Sequence, residues 1–217
     1  MKVKVLADIL GANDRVAGEN RRLFRDNGVF VINLMSAPGA GKTSLIEKTI
    51  QALGDTCRVG VIEGDIATAA DAERIGRTGV PVVQINTGGA CHLDGNMVRA
   101  ALGEMDLSAL DLLIVENVGN LVCPAEFNVG EDKKVMLLSV AEGDDKPLKY
   151  PLMFRESSAL VINKTDLVEH TDFDMEKARR DSLSINPSLS IYPVSCRTGD
   201  GLGGWFGWLK EGVAGAS

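Results

Sequence analysis

The segment SAPGAGKTS at 36–44 can hold a polyphosphate. Gly39 and Gly41 lack a Cβ, so successive backbone N–H groups can curl around anionic oxygens. An amphipathic helix opening near Lys42 adds the positive end of its dipole. Lys42 can reach the β- and γ-phosphates, and the Thr43 hydroxyl can ligate Mg²⁺. The expected phosphate-contacting residues are therefore Pro38, Gly39, Ala40, Gly41, Lys42, Thr43 and Ser44. The general pattern is G-x-x-x-x-G-K-[ST]; here Ser36 takes its first position, while Gly41-Lys42-Thr43 is intact. A glycine-rich turn with an incidental lysine is the bland alternative, but an apolar strand precedes the segment and a helix follows it.

A phosphate loop alone does not choose a base. Asn163-Lys164-Thr165-Asp166 ends the apolar run ALVIN, where open α/β sheets bind ligands. A carboxylate at Asp166 can accept hydrogen bonds from guanine N1 and N2, whereas adenine presents an acceptor at N1 and no amino group at C2. The loop resembles the NKxD signature of GTPases and selects GTP and GDP over ATP. Ser195-Cys196-Arg197 follows the last strand and resembles the SAK-type loop whose backbone amide contacts guanine O6; Cys196 and Arg197 replace the usual Ala and Lys. Hydrolysis also needs polar groups between these loops. Asp65 in VIEGD can hold Mg²⁺ directly or through water, with Glu63 beside it, and Glu116 ends another strand. Gly119 offers an N–H that can sense a γ-phosphate. Lys42, Thr43, Asp65, Glu116 and Gly119 form the candidate catalytic set, with Thr43 and Asp65 on Mg²⁺; the acids also read as ordinary strand-terminal polar residues.

Cys91-His92, in TGGACHLDG, and Cys123, in ENVGNLVCPAEF, lie on separate loops that each follow a strand. If those strands share one parallel sheet, the loops meet at its carboxyl edge beside the nucleotide. Two thiolates and an imidazole suit Zn²⁺ or Ni²⁺, and three ligands leave an open position or invite a ligand from a second subunit. The residues also read as two small buried hydrophobes and a polar helix N-terminus, since no C-x-x-C pair is present. Cys57, at a strand start, reads as packing and His170 as an exposed loop residue.

These loops need a frame. Seven apolar runs alternate with helical stretches: 29–35, 58–62, 80–85, 112–117, 135–140, 159–163 and 189–194. Continuous apolar strands separated by helices predict an α/β fold with a mostly parallel sheet buried on both faces, joined by right-handed crossovers. Residues 6–27 carry an irregular amphipathic pattern ended by Asn27-Gly28 and predict a helical lead-in over 1–28. The nucleotide domain is expected over 29–212, with GVAGAS in a frayed tail and 213–217 flexible.

With 217 residues and 45% hydrophobic content, the chain can bury one substantial core. A net charge of −7 disfavours nucleic acid as a partner. No stretch of 18 apolar residues and no signal-peptide pattern occurs, so the expectation is a cytoplasmic protein without a membrane span. Its four cysteines are then expected to be reduced.

Taken in order, SAPGAGKT, EGD, NTGGACHLDG, ENVGNLVCPAEF, EGDDKPLKYP and NKTDL closely resemble the hydrogenase nickel-incorporation GTPases, the HypB family. The likeness runs from about residue 6 to the final helix. CHLD with ENVGNLVCP is its most specific part, because the urease accessory GTPase is expected to carry a Cys-Pro-His motif instead. The resemblance implies a P-loop NTPase of SIMIBI type, with Cys91, His92 and Cys123 as nickel or zinc ligands. It further implies a homodimer tightened by GTP and nickel transfer to the large subunit of a hydrogenase, with a small zinc-containing, HypA-like accessory protein as partner. Lys146 and Lys149 resemble a region that reaches nucleotide across the dimer; solvated lysines are the other reading. The CxxCGC motif and histidine-rich stretch of some members are missing from this sequence, so a separate nickel site is not expected.

No obvious glutamine or arginine finger is present, so intrinsic turnover is expected to be slow. Because Glu116 to Cys123 form one short segment, a γ-phosphate-dependent shift at Gly119 would move a metal ligand. Three rivals stand beside this reading: a urease-type nickel GTPase, a GTP switch whose Cys and His residues are structural, and a small-substrate P-loop kinase, which NKTD disfavours.

Overall fold

A computed structural model describes residues 9–66 and 69–216. Seven parallel strands form one sheet: β1 (Phe30–Ser36), β2 (Val59–Asp65), β3 (Val82–Asn86), β4 (Leu112–Glu116), β5 (Lys133–Ser139), β6 (Ala159–Asn163) and β7 (Ser190–Pro193). Their spatial order is β3-β2-β4-β1-β5-β6-β7. The seven expected strands are all present, with boundaries shifted by a few residues at most. The helices are α1 (Ile9–Asp26), α2 (Lys42–Leu53), α3 (Ala70–Gly76), α4 (Gly95–Leu102), α5 (Cys123–Glu126), α6 (Lys146–Lys149), α7 (Pro151–Glu156), α8 (Met175–Ile185) and α9 (Leu202–Ala216).

The strands read as unbroken apolar runs because helices cover both faces of the sheet. On β1, Phe30, Ile32 and Leu34 face a core shared with α2 and α9, whereas Val31 and Met35 face the opposite layer. All parallel strands end on the same edge, so the loops after β1, β2, β3, β4 and β6 gather there.

Helix α1 docks with polar groups as well as apolar ones. Asn20 is fully buried and its Nδ2 donates to Gly95 O at 2.8 Å and Val129 O at 3.0 Å, while Asn13 Oδ1 accepts from Gly95 N at 2.7 Å. The helix closes at Gly28, whose φ of 67° suits the turn. Of the expected lead-in, residues 1–8, Leu6 among them, lie outside the described residues.

One expectation is corrected at the other end. Helix α9 runs to Ala216 where a frayed tail was expected from residue 213. Trp205 is buried and its Nε1 donates to Thr49 Oγ1 at 3.0 Å, fixing α9 to α2. Gly212 then lies against the Phe30 ring, and Val213 and Ala216 pack on the core. Small residues are needed there for close approach, so their size signals packing rather than looseness; Ser217 lies outside the described residues.

Candidate nucleotide and metal site

The phosphate loop joins β1 to α2 and turns through two left-handed glycines, Gly39 (φ 75°) and Gly41 (φ 105°). A Cβ at Gly41 would lie 2.5 Å from Asn163 Nδ2, so only glycine fits. Ser36, the departure from the usual motif, is fully buried, and its hydroxyl accepts from Lys42 Nζ at 3.2 Å. The serine thus holds the lysine over the loop.

Two cavities flank this loop. The first, about 220 Å³, is lined by Pro38, Gly39, Lys42 and the ends of β2 and β4, including Glu63, Asp65, Glu116 and Gly119, together with Asp71. Thr43 Oγ1 donates to Glu116 Oε1 at 3.1 Å. One carboxylate oxygen each from Glu63, Asp65 and Asp71 lie within 4.8 Å of one another. Burial pushes Glu63 up to about 8, with Glu116, Asp65 and Asp71 adding to the rise; burial likewise pushes Glu116 up to about 7, opposed by Lys42. Glu63 Oε2 and Glu116 Oε2 are buried and accept no hydrogen bond from the described residues. Hard oxygen donors with orphaned carboxylate oxygens fit a divalent cation such as Mg²⁺. Asp71 was missed by the sequence reading. Its only sequence signal is an acid in the first turn of a helix just after the EGD segment.

Gly119 lies against the phosphate loop: a Cβ there would sit 2.9 Å from Pro38 Cγ and 3.0 Å from Pro38 N. Its backbone therefore lines the first cavity beside the phosphate loop.

The second cavity, about 260 Å³, is lined by Gly41, Ser44, Asn163, Lys164, Asp166, Leu167, Cys196 and Arg197. Asp166 Oδ1 accepts from Ser195 Oγ at 2.6 Å, which orients the carboxylate, and Lys164 Nζ donates to Gly39 O at 2.7 Å. The NKTD resemblance implies that Asn163 holds guanine together with Asp166. Asn163 Nδ2 donates to Ala40 O at 2.9 Å and its Oδ1 accepts from Cys196 N at 3.1 Å, so it fastens the two nucleotide loops together. The Cys196 amide, expected near a base, is engaged in that bond. Cys196 is buried in the core cluster, and that burial pushes its thiol up to about 11. Cys57 is buried in the core and is pushed up to about 11 by the same cause.

Lys149 is not brought to either cavity. It pairs with Asp145 on an exposed face, because α6 lies beyond the end of β5 rather than over the phosphate loop. Lys146 pairs with the same aspartate at 3.3 Å. His170 is exposed at the end of a 3₁₀ segment.

The loops after β3 and β4 do meet. Cys91 Sγ donates to Cys123 Sγ at 3.1 Å and lies 3.7 Å from His92 Nδ1. The three ligand atoms lie within 4.8 Å of one another, and all three residues are half-buried. Burial lowers the His92 pKa, favouring the neutral imidazole a metal requires, and its ring centroid lies 3.9 Å from that of Phe127. The Cys123 thiol is raised, first by its hydrogen bond with Cys91 and then by burial. Two soft donors and an imidazole fit a borderline metal ion.

A phosphate loop at the carboxyl edge of a parallel sheet, an acidic cation cluster and a base cavity together define a P-loop nucleotide-binding protein; here a thiolate and imidazole cluster adjoins it. Residues 30–193 match the family model described as CobW/HypB/UreG, nucleotide-binding domain. The hydrogenase maturation factor HypB of Azotobacter vinelandii is 52% identical over 209 residues, spanning 96% of this chain and 69% of that protein. Among solved structures, HypB from Archaeoglobus fulgidus is 41% identical with a TM-score of 0.88, covering 94% of this chain and 99% of that one. HypB from Helicobacter pylori in complex with nickel is 39% identical with a TM-score of 0.88, covering 94% and 95%. The chain belongs to the HypB family of hydrogenase maturation factors. Its fold is a P-loop α/β architecture with a seven-stranded parallel sheet, like that of the HypB structures, and among the described residues no helix is long and apolar enough to cross a membrane.

Proposed function

We propose that the chain is a GTP-hydrolysing metallochaperone that binds nickel through Cys91, His92 and Cys123 and hands it to the large subunit of a NiFe hydrogenase. The observation that carries this reading is the convergence of those three side chains, on loops after β3 and β4, beside the phosphate cavity. Half-exposed thiols in mutual contact argue against a purely structural role, because packing cysteines in this chain are buried like Cys57 and Cys196. A relative's structure in complex with nickel supports nickel as the cargo, with zinc as a competitor for the same donors.

In this reading GTP lies across both cavities. Lys42 and the backbone N–H groups of residues 39–43 stabilise charge developing on the β- and γ-oxygens. Asp166, oriented by Ser195, reads the guanine N1 and N2 donors. Thr43, Glu116 and the Glu63, Asp65 and Asp71 cluster would hold Mg²⁺, which neutralises phosphate charge when bound. Gly119 senses the γ-phosphate, and the segment it begins carries Cys123. The protein works in the cytoplasm as a homodimer favoured by GTP, with a HypA-like accessory protein as partner; Lys149 reaches nucleotide only across such a dimer.

The test is a titration of Ni²⁺ and Zn²⁺ into the GDP- and GTP-analogue-bound forms of wild type, Cys91→Ala and Cys123→Ala, following stoichiometry and mass. Nickel binding that requires both cysteines and changes with nucleotide supports the reading. Binding indifferent to either substitution would remove these residues from the metal site.

A further inference from the structure

The strand β4 ends at Glu116, and the next residue, Asn117, is fully buried. Its side chain spans two loops. Asn117 Oδ1 accepts from Val118 N at 3.0 Å and from Leu93 N at 3.0 Å; Nδ2 donates to Asn33 Oδ1 at 3.0 Å. Leu93 directly follows His92, so this carboxamide grips the first residue beyond the Cys91-His92 pair. The Leu93 side chain is also wedged against Gly64, where a Cβ would lie 2.7 Å from Leu93 Cγ. The Cys91-His92 loop is thus braced by the ends of β4 and β2, the two strands that carry Glu116 and Asp65.

The network continues towards the other metal ligand. Asn33 Nδ2 donates to Glu131 Oε1 at 3.4 Å, and Glu131 Oε2 accepts from Val129 N at 2.7 Å and Gly130 N at 3.0 Å. Lys134 lies 3.9 Å from Glu131 and its Nζ donates to Ala125 O at 2.7 Å, two residues beyond Cys123. Asn117 is the member of this buried chain that adjoins Val118-Gly119, the segment facing Pro38 of the phosphate loop.

We infer that Asn117 is a positioning residue that couples the nucleotide to the Cys91-His92 half of the metal site, through its bond to the Leu93 amide. The covalent segment from Gly119 to Cys123 moves only one ligand. The Asn117 carboxamide sets the other two, so a displacement at Gly119 alters the separation of the ligands instead of shifting one of them freely. Buried polar groups in such a network exchange partners only in concert, since each orphaned donor or acceptor is costly. The inference rests on the proposed nucleotide-linked nickel binding.

The test measures the Ni²⁺ dissociation constant by thiolate-to-nickel absorbance in the GDP and non-hydrolysable GTP-analogue states of the full chain. Wild type, Asn117→Ala and Asn117→Asp are compared. Coupling of about 5- to 150-fold between the two states is the ordinary range for linked sites. Asn117→Ala is expected to bring that ratio within about two-fold of unity while nickel still binds. Asn117→Asp gives up the donor to Asn33 Oδ1 but keeps an oxygen to accept from Leu93 N and Val118 N, so it isolates the Leu93 bond and is expected to preserve the ratio. An unchanged ratio in Asn117→Ala, or its loss in both variants, overturns the role of this side chain alone. A wild-type ratio of one overturns both this inference and the reading beneath it. Should Asn117→Ala fail to fold, the Leu93 amide resonance of ¹⁵N-leucine-labelled wild type decides: a shift on exchanging GDP for the analogue supports the coupling, and an unmoved resonance overturns it.

Discussion

The Thr43 hydroxyl donates to Glu116 Oε1 at 3.1 Å, tying the first turn of α2 to the end of β4. Glu116 is buried and its second oxygen accepts no hydrogen bond from the described residues, an arrangement suited to a cation at that edge. Glu116→Gln keeps the shape and an acceptor for Thr43 but removes the negative charge. GTP hydrolysis is expected to slow by about 10²-fold, as for loss of one transition-state electrostatic contact. Melting temperature should hold or rise, because an unsupported buried acid is removed. Phosphate release and thermal melts check both; an unaltered kcat would remove Glu116 from the machinery.

Asp166 offers acceptors to the two guanine donors, and Ser195 fixes its orientation. Asp166→Asn exchanges one acceptor for a donor. Charged hydrogen bonds contribute about 1.5–3 kcal/mol each, so GTP affinity is expected to fall by at least about 10²-fold. Xanthosine triphosphate, with an oxygen at C2, should bind the variant better than GTP does. Competition against a fluorescent nucleotide measures the switch; an unchanged preference would place the base elsewhere.

Gly119 has no room for a side chain, since a Cβ would meet Pro38 at 2.9–3.0 Å through both ring and backbone. Gly119→Ala must push the β4–α5 segment off the phosphate loop. The expected result is GDP binding within a few-fold of wild type and a loss of about ten-fold or more for the GTP analogue, read by calorimetry. Equal losses for both nucleotides would argue that Gly119 does not sense the third phosphate.

His92 stacks on Phe127 and lies beside the two thiols. His92→Ala is expected to leave nickel bound through Cys91 and Cys123 at least about ten-fold more weakly, with altered charge-transfer bands. Removal of nickel by a chelator, with Mg²⁺ kept in excess, should leave GDP able to bind, because the two sites share no ligand, while shifting the preference between GDP and the GTP analogue by the factor that nucleotide shifts nickel affinity. A variant with wild-type nickel affinity would show that the imidazole is not a ligand.

Away from the site, Asp111 accepts from Arg58 N at 2.7 Å and Arg58 Nε at 3.0 Å, joining the starts of β2 and β4. The Arg58 side-chain hydrogen bond holds the Asp111 carboxyl below its ordinary value of 3.8. A depressed acid stabilises the fold above its unfolded pKa, and that contribution is lost as pH falls through the folded value. Wild type should therefore melt slightly above Asp111→Asn at neutral pH, and the gap should begin to narrow as pH falls below about 4 and close once pH has passed the folded value. A gap that does not narrow on acidification would show that the ionised pair is not its source.

The frame and the principal loops were legible because their signals are local. Glycines 39 and 41, the Gly41-Lys42-Thr43 run and Asp166 each lie next to an apolar strand, and a parallel sheet brings strand ends to one edge. Asp71 was not legible, being one acid among 30 with no spacing rule linking it to Asp65. Asn163 was assigned to the base from the likeness of NKTD to a base-reading loop; its bonds to Ala40 and Cys196 join segments far apart in the chain and leave no local signal. Asn33 and Asn117 stand out as amides inside or beside apolar strands. Their pairing, however, depends on the register that sets Asn33 opposite Val115. The C-terminal small residues were misjudged because glycine signals looseness and close packing alike, and only the Phe30 ring against Gly212 tells which applies.

The sheet order also divides labour. With β3, β2 and β4 to one side of β1, and β5 and β6 to the other, the phosphate loop stands between the two kinds of information a nucleotide carries. In the proposed function, which base is bound would be registered on the β6 flank, and how many phosphates remain on the β4 flank. Strands lie about 4.8 Å apart, so β4, the source of the Cys123 loop, is one strand spacing from the phosphate strand, and β3 is three. Under the proposed cycle, the identity of the fuel and the timing of cargo release are kept on opposite banks, so either could change in evolution without rewiring the other.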